Sequence, residues 1–254
     1  MPSKELTAAL AAAQAAAAVI RGFYRTGFAV RTKADASPVT QADLQAEEVI
    51  REHLARDFPG YGFYGEESGQ HQMGAESLWL VDPLDGTKSF VRETPFFSTQ
   101  IALMRAGELV LGVSNAPAYG ELAWAEAGAG AYLNERRVQV SAVSELSGAA
   151  LSSGNLKSLA RSPRWSAYGA LLTRLNYSRG YGDFLHYHLL ARGALEVVLE
   201  SDLNILDIAA LVVIVREAGG TCTDLEGAPV GLGTTSVLAS NGRLHAAVLE
   251  ALRS

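Results

Sequence analysis

In the stretch Trp79-Leu80-Val81-Asp82-Pro83-Leu84-Asp85-Gly86-Thr87-Lys88-Ser89-Phe90, an apolar run leads into two acids with a proline between them. A tight turn needs only one Asp before a Gly, so the second carboxylate asks for another role. Hard divalent cations such as Mg²⁺ take oxygen ligands, and Asp82 and Asp85 with the Leu84 carbonyl between them form a set of that kind. The plainer alternative for these residues alone is a surface β-turn. Three further acids occur in settings that would each pass unnoticed. Glu66 lies in the Gly-flanked loop Gly65-Glu66-Glu67-Ser68, which by itself reads as a solvated turn. Asp43 closes SPVTQAD (37–43) and Asp207 heads LDIAALVV (206–213), where helix capping is sufficient explanation for either. Their joint presence in this order is what calls for chemistry.

Such groups need elements to hold them. Residues 4–26 read as a first helix, rich in alanine, the best helix former. Pro38 makes Ser37 extended, and Thr40 or Asp43 then caps a helix to about Arg56, closed by Phe58-Pro59-Gly60. SLWLVD reads as a strand ending at the acids, with Asp85-Gly86 in a tight turn after it. Residues 98–140 follow as a meander of strands broken by Ala-Gly-Glu, Tyr-Gly-Glu and Asn-Glu-Arg turns. After about Val143 strands and helices alternate: a strand at ALSSGN, helices at WSAYGALLTRL and in SRGYGDFLHYHLLARG, a strand at ALEVVLE, and a long apolar helix from Asp207 to Gly219. Short strands (TCTDL, TSVLAS) and a last helix (RLHAAVLEAL) end the pattern. Stacked layers of helices and sheets are expected, with an N-terminal α+β part, 1–143, closely packed on a C-terminal α/β part, 144–254, and no flexible linker.

Composition narrows the function. The 254 residues are 48% hydrophobic and 19% charged, as in a soluble globular protein. A net charge of −6 leaves no basic footprint for nucleic acid, so an anionic substrate must be drawn in locally by a metal or a few placed cations. Cys222 stands alone, which excludes an intrachain disulfide and suits a reducing cytoplasm. The N-terminal run LTAALAAAQAAAAVI is interrupted by Gln14, preceded by Lys4-Glu5, and continues into IRGFYRTGF; it reads as a packed helix and not as a signal peptide. At 15 residues it is short for a bilayer span, and no membrane association is expected.

Taken together, SPVTQAD, GEES (65–68), WLVDPLDGTKSF (79–90), RGYGD (179–183) and LDIAALVVIVREAGG (206–220) resemble the inositol monophosphatase family, the Mg²⁺-dependent, lithium-sensitive phosphatases of small molecules. The resemblance covers essentially the whole chain. It implies an α+β fold, the layered αβαβα sandwich shared with fructose bisphosphatase, two or three Mg²⁺ per active site, and a homodimer. By position it implies that Glu66, Asp82, the Leu84 carbonyl, Asp85 and Asp207 are metal ligands. Asp43 and Thr87 match the pair that orients the attacking water, Glu66 serves the metal that acidifies it, and the Gly86 and Thr87 amides would hold phosphate oxygens.

Four phosphate esters compete within that resemblance: histidinol phosphate, inositol monophosphate, phosphoadenosine phosphate and fructose bisphosphate. DGTKSF and RGYGDF are similar to the histidinol-phosphatase branch. Arg179, Asp183 and Glu200 are the implied substrate contacts, the two acids suiting an ammonium group. Leu206 stands where the family usually has Trp, and ESDLNILD is unlike the usual Pro- or Gly-containing versions; loss of an aromatic wall would broaden specificity. Asn241 in SNGRLH resembles a residue reaching a neighbouring subunit's site, although a surface turn is the plainer reading.

Other readings fit less well. A haloacid-dehalogenase phosphatase needs Asp two residues before the Asp of DGT, and that position is Pro83. The GTKS sequence lacks the glycines of a P-loop. His186 and His188 lie two apart on a helix, face different ways, and have no third ligand nearby for zinc, so they read as ordinary helix residues. A catalytically inactive homologue that only binds a ligand is the alternative of another class.

Overall fold

The computed structural model describes residues 2–26, 30–32 and 38–253. Ser37 of the SPVTQAD segment lies outside them. In chain order the elements are α1 (Lys4–Phe23), the short pair β1 (Val30–Thr32) and β2 (Pro38–Thr40), α2 (Gln41–Asp57), β3 (Gly62–Gly65), β4 (Gly69–His71), β5 (Ser77–Asp85) and α3 (Thr87–Val91). The meander follows as β6 (Ser98–Arg105), β7 (Glu108–Ala116), β8 (Glu121–Glu126), β9 (Gly130–Leu133) and β10 (Arg136–Val138). Then come β11 (Ala150–Ser153), α4 (Leu156–Arg161), α5 (Trp165–Leu172), β12 (Tyr177–Arg179), α6 (Asp183–Ala191) and β13 (Val197–Ser201). The last elements are α7 (Ile205–Glu217), β14 (Thr221–Thr223), β15 (Ser236–Ser240) and α8 (His245–Arg253).

Strands β3 to β10 make an 8-stranded sheet in the order β10-β9-β8-β7-β6-β5-β3-β4, and β11 to β15 a 5-stranded sheet in the order β12-β11-β13-β15-β14. Alternate residues of β5 show how the layers stack. Trp79 and Val81 meet Leu6, Ala9, Ala13 and Ile50 of α1 and α2 on one face. Leu78 and Leu80 join a central core with α6, α7 and the inner face of the second sheet, including Val198 and Ala239. The outer face of that sheet, through Leu151, Val197 and Leu238, packs on α4, α5 and α8. The result is the αβαβα sandwich. A strand buried on both faces has no polar alternation, which is why SLWLV reads as an unbroken apolar run. Helix α7 is apolar all round for the same reason, being enclosed between two sheets.

Several boundaries differ from the sequence expectation. Helix α1 stops at Phe23 because Tyr24 turns extended and Arg25 takes a positive φ of 63°. At 20 residues, three shorter than the 4–26 expected, it is long and apolar enough by composition to cross a membrane, although the apolar run within it spans 15. Burial is more informative: Leu6, Ala9, Ala12, Ala13, Ala16 and Ile20 are enclosed in the core, where small side chains let α1 lie close on α2. Of the two cap candidates for α2, Thr40 is the N-cap and Asp43 is its third helical residue. Helix α7 begins two residues before Asp207, capped by Asn204. Strand β5 does not end at Asp82 in a turn but runs on to Asp85.

Gly112 of β7 decides how near α7 lies to the first sheet. A Cβ there would overlap the Ala210 carbonyl oxygen and come within 2.8 Å of the Ala210 Cα, both backbone atoms with no rotamer to escape into. Gly112→Val should therefore destabilise the protein by about 1–3 kcal/mol, read from the urea midpoint. An unchanged midpoint would show that α7 has slack against the sheet.

Candidate active site

The site begins with an irregularity in β5. Asp82 pairs with Gln100 and Asp85 with Ser98, so three steps along β5 match two along β6. In a regular strand, residues three apart point to opposite faces; one extra residue restores the phase and turns both carboxylates to the same side. Pro83, which lacks an N–H, and Leu84 occupy the bulge. The Leu84 amide donates to Asp82 Oδ1 at 2.9 Å, and Thr99 Oγ1 donates to the Pro83 carbonyl at 2.9 Å. The Leu84 side chain is buried against α1 and α2, which leaves its carbonyl for the site. Gly86 then turns the chain with a positive φ of 85°, where a Cβ would meet the Phe96 carbonyl oxygen at 2.5 Å. No other residue fits that position without moving β6.

Two helix starts bring in the remaining groups. Asp207 is the third residue of α7, and its Oδ2 accepts the Asn204 amide at 2.9 Å in a capping box. The capping reading of Asp207 is thus correct but incomplete. One oxygen each from Asp82, Asp85 and Asp207 lies within 4.8 Å of the others. Glu66 adjoins them through a hydrogen bond between its carboxyl and that of Asp82, and its amide donates to the Val81 carbonyl of β5 at 3.1 Å. Asp43 is likewise the third residue of α2, 1% exposed, with Oδ2 accepting from the Thr40 amide at 2.8 Å and the Thr40 hydroxyl at 2.6 Å. Its Oδ1 lies 3.0 Å from Thr87 Oγ1, which is also 3.0 Å from the Leu84 carbonyl oxygen. The Thr87 hydroxyl has one proton to give and stands between both acceptors.

The electrostatics are those of an acid cluster without its counter-charge. Burial, reinforced by Glu66, Asp85 and Asp207, drives Asp82 well above the ordinary carboxylate range. Burial followed by Asp183 and Asp207 does the same to Asp85. Asp207 rises to about 7, mainly from burial and partly offset by the Asn204 amide. Asp43 is raised by burial against the pull of its Thr40 and Thr87 hydrogen bonds. Carboxylate oxygens of Asp82, Asp85 and Asp207 that converge within 4.8 Å, each costly to ionise alone, form a donor set that fits a hard divalent cation.

The sequence matches the profile described as the inositol monophosphatase family over residues 1–254. The chain belongs to that family. Histidinol-phosphatase from Mycobacterium tuberculosis is 40% identical over 260 residues, covering 100% of both chains. Inositol-1-monophosphatase from Rhizobium meliloti is 38% identical, covering 88% of this chain and 86% of that one. The crystal structure of the extragenic suppressor protein suhB from Bartonella henselae superposes with a TM-score of 0.89 at 32% identity, covering 99% of each chain. This member of the inositol monophosphatase family is a phosphoric monoester hydrolase with the family's layered fold.

A second acidic patch adjoins the cluster. Asp183, the first residue of α6, is raised to about 6 by burial and by Glu200, against the pull of His186 and Lys88. Glu200 of β13 accepts from His186 Nε2 at 3.2 Å and the Tyr187 hydroxyl at 3.0 Å. Gly154 leaves room for it, since a Cβ there would overlap Glu200 Oε1. Arg179 is not joined to this patch by any contact seen among the described residues. It is exposed, its guanidinium lies 5.3 Å from the centre of the Tyr177 ring, and its Nη1 donates to the Ser178 carbonyl.

Some residues carry more than the sequence suggested. His186 and His188 do face different ways, but both are fully buried connectors and not ordinary helix residues. His186 bridges Ser152 and Glu200 in the second sheet, while His188 bridges Ser114 and Glu121 in the first. Asn241 is no surface turn: it is 3% exposed and holds Ser141 and Val143 through its side-chain amide. Leu206 is 2% exposed in the central core. Glu47, which helical spacing alone did not single out, is 3% exposed and accepts the Glu67 and Ser68 amides at 2.8 and 2.6 Å. Its sequence signal was its place one helical turn after Asp43.

A carboxyl whose pKa is raised on folding holds more protons folded than unfolded, so stability falls as pH climbs through the interval; for Asp207 that is from 3.8 to about 7. Removing one charge of the cluster should relieve this penalty. In EDTA at pH 8, Asp85→Asn should melt about 5 °C above the parent chain, with the gap closing near pH 4, where Asp82, Asp85 and Asp207 are protonated in the folded chain. A lower melting temperature for the variant at pH 8 would mean that the cluster is not under charge strain.

Proposed function

We propose that this chain is a Mg²⁺-dependent phosphatase that hydrolyses histidinol phosphate to histidinol and phosphate by attack of a metal-activated water. Phosphate ester hydrolysis asks for in-line geometry and charge neutralisation more than for covalent chemistry, and Pro83 stands where a haloacid-dehalogenase phosphatase carries its nucleophilic Asp. Glu66, Asp82 and the Leu84 carbonyl would hold one cation, and Asp82, Asp85 and Asp207 a second. Bound Mg²⁺ supplies an acidified water and neutralises charge on the leaving oxygen. Thr87, giving its proton to Asp43, turns a lone pair toward the water and receives or orients the water's proton. The Gly86 and Thr87 amides at the start of α3 would donate to the phosphate oxygens.

The observation that carries the choice of substrate is the Asp183–Glu200 pair beside Asp85 and Asp207. An acidic patch next to a phosphate site repels a simple anion but suits an ester that bears an ammonium group at its other end. The relatives named histidinol-phosphatase support the same choice. A broader phosphomonoesterase activity is the second reading, favoured by the 38% identity to an inositol-1-monophosphatase.

Steady-state rates with Mg²⁺ on histidinol phosphate, inositol monophosphate, phosphoadenosine phosphate and fructose bisphosphate test the assignment. Histidinol phosphate should give the highest kcat/KM; inositol monophosphate ahead by more than about tenfold would overturn it. Asp85→Asn should abolish turnover of every substrate while retaining the native circular dichroism spectrum, and near-normal activity would sink the metal scheme. Asp183→Asn should raise KM for histidinol phosphate by about 10- to 100-fold, the loss of one charge-assisted hydrogen bond, and leave a phosphate ester without an ammonium group unaffected. Equal losses on both esters would remove Asp183 from ammonium recognition.

A further inference from the structure

Glu66 has to be delivered to the cluster by a loop, and the loop's position is set from below by a residue outside the implied ligand set. Glu47 sits on α2 one turn after Asp43, on the same side of the helix. Both of its carboxylate oxygens are engaged: Oε2 by the Glu67 amide at 2.8 Å and Oε1 by the Ser68 amide at 2.6 Å. The preceding residue, Gly65, is buried directly over the same carboxylate, where a Cβ would lie 2.5 Å from Glu47 Oε2 and 2.6 Å from its Cδ. The loop is therefore held at three points. The Glu66 amide hangs from the Val81 carbonyl of β5, while the next two amides are drawn onto α2.

We propose that Glu47 is a positioning residue for the metal centre: its carboxylate fixes the Glu66 loop to α2, so that one helix sets both the Asp43–Thr87 pair and the Glu66 ligand in register with β5. The inference rests on the reading of Glu66 as a metal ligand. Two observations support it independently. A buried carboxylate with two charge-assisted bonds to consecutive amides is a strong and directional anchor. The absence of space for a Cβ at Gly65 shows that the loop backbone is pressed onto that anchor and not merely near it. Glu47 is too far along α2 to be a cap, so helix stability gives no separate reason for a buried acid there.

Glu47→Gln keeps the shape but sets an amide NH₂ against a backbone N–H, which loses one bond and adds a repulsion. It should weaken Mg²⁺ binding measured by calorimetry by about 10- to 100-fold, with the Mg²⁺ concentration for half-maximal activity rising in parallel. Saturating Mg²⁺ should restore most of kcat, with KM for the phosphate ester unchanged. The Glu67 and Ser68 amides should exchange hydrogen faster in the metal-free variant. Gly65→Ala, which displaces the same carboxylate from the other side, should reproduce the loss of Mg²⁺ affinity and answers for Glu47→Gln should that variant not fold. Glu48→Gln, altering an exposed neighbour paired with Arg51, is the control and should change nothing. Unaltered Mg²⁺ affinity in both Glu47→Gln and Gly65→Ala would overturn the proposal, as would a lowered melting temperature and kcat with metal affinity intact. Glu66→Gln separates the two levels of inference: if it also leaves Mg²⁺ binding unchanged, the ligand assignment has failed, whereas a loss there alone faults only the role of Glu47.

Discussion

Three carboxylate oxygens within 4.8 Å of one another repel, and the repulsion grows as water is excluded. The structure of this phosphatase is arranged around holding them there. Asp82 and Asp85 are on a strand hydrogen-bonded on both sides, to β3 and β6, and cannot swing apart without breaking the sheet. Asp207 is on a helix enclosed between two sheets, brought close by Gly112. The rise of Asp207 to about 7 comes mainly from its burial, with Glu66, Glu200 and Asp183 adding to it. A hard cation held by these oxygens would offset both the burial and the repulsion of their charges, so the features that make the acids costly to ionise also favour its binding.

Confinement also depends on using each polar group twice. Asp43 and Asp207 each spend one oxygen in a capping box and present the other to the site. The helix start thereby locks the side chain before any substrate arrives, and the ordering entropy is met during folding. Helix α6 is tied down in a related way: His186 bonds toward one sheet and His188 toward the other. That pins Asp183 at its first turn and Glu200 beneath it, and gives the two sheets a shared polar seam within the central core. A buried network of this kind is stabilising only when every member is satisfied, which these histidines are.

Much of the fold could be read from periodicity. The apolar stripes of α1, α2 and α7 and the turn residues of the meander are local signals, and the layers follow from them because each amphipathic face needs a partner. Capping was legible too, and in Asp43 and Asp207 it concealed chemistry by explaining the residue sufficiently. The bulge in β5 was not legible. The sequence places Asp82 and Asp85 at a strand end whose turn points both carboxylates the same way, but only pairing with β6 shows that they stay within the strand and that an extra residue between them sets their direction. The roles of Glu47, His186, His188 and Asn241 were hidden for a similar reason: their partners are backbone groups or side chains distant in sequence, so local spacing gives His186 and His188 only an ordinary helical reading and Asn241 a surface turn.

The sequence by itself determined which residue types are available and in what order: oxygen donors for a hard cation, a hydroxyl next to a glycine turn, and apolar segments of the right period to bury. These are properties of single residues and their near neighbours. Tertiary structure decided which oxygens converge, which carboxylates remain free after capping, and which acid anchors a loop and which one serves the site. Those outcomes depend on distances between elements far apart in the chain, set by packing and by the few positions, such as Gly65, Gly86 and Gly112, where only the absence of a side chain lets the backbones meet.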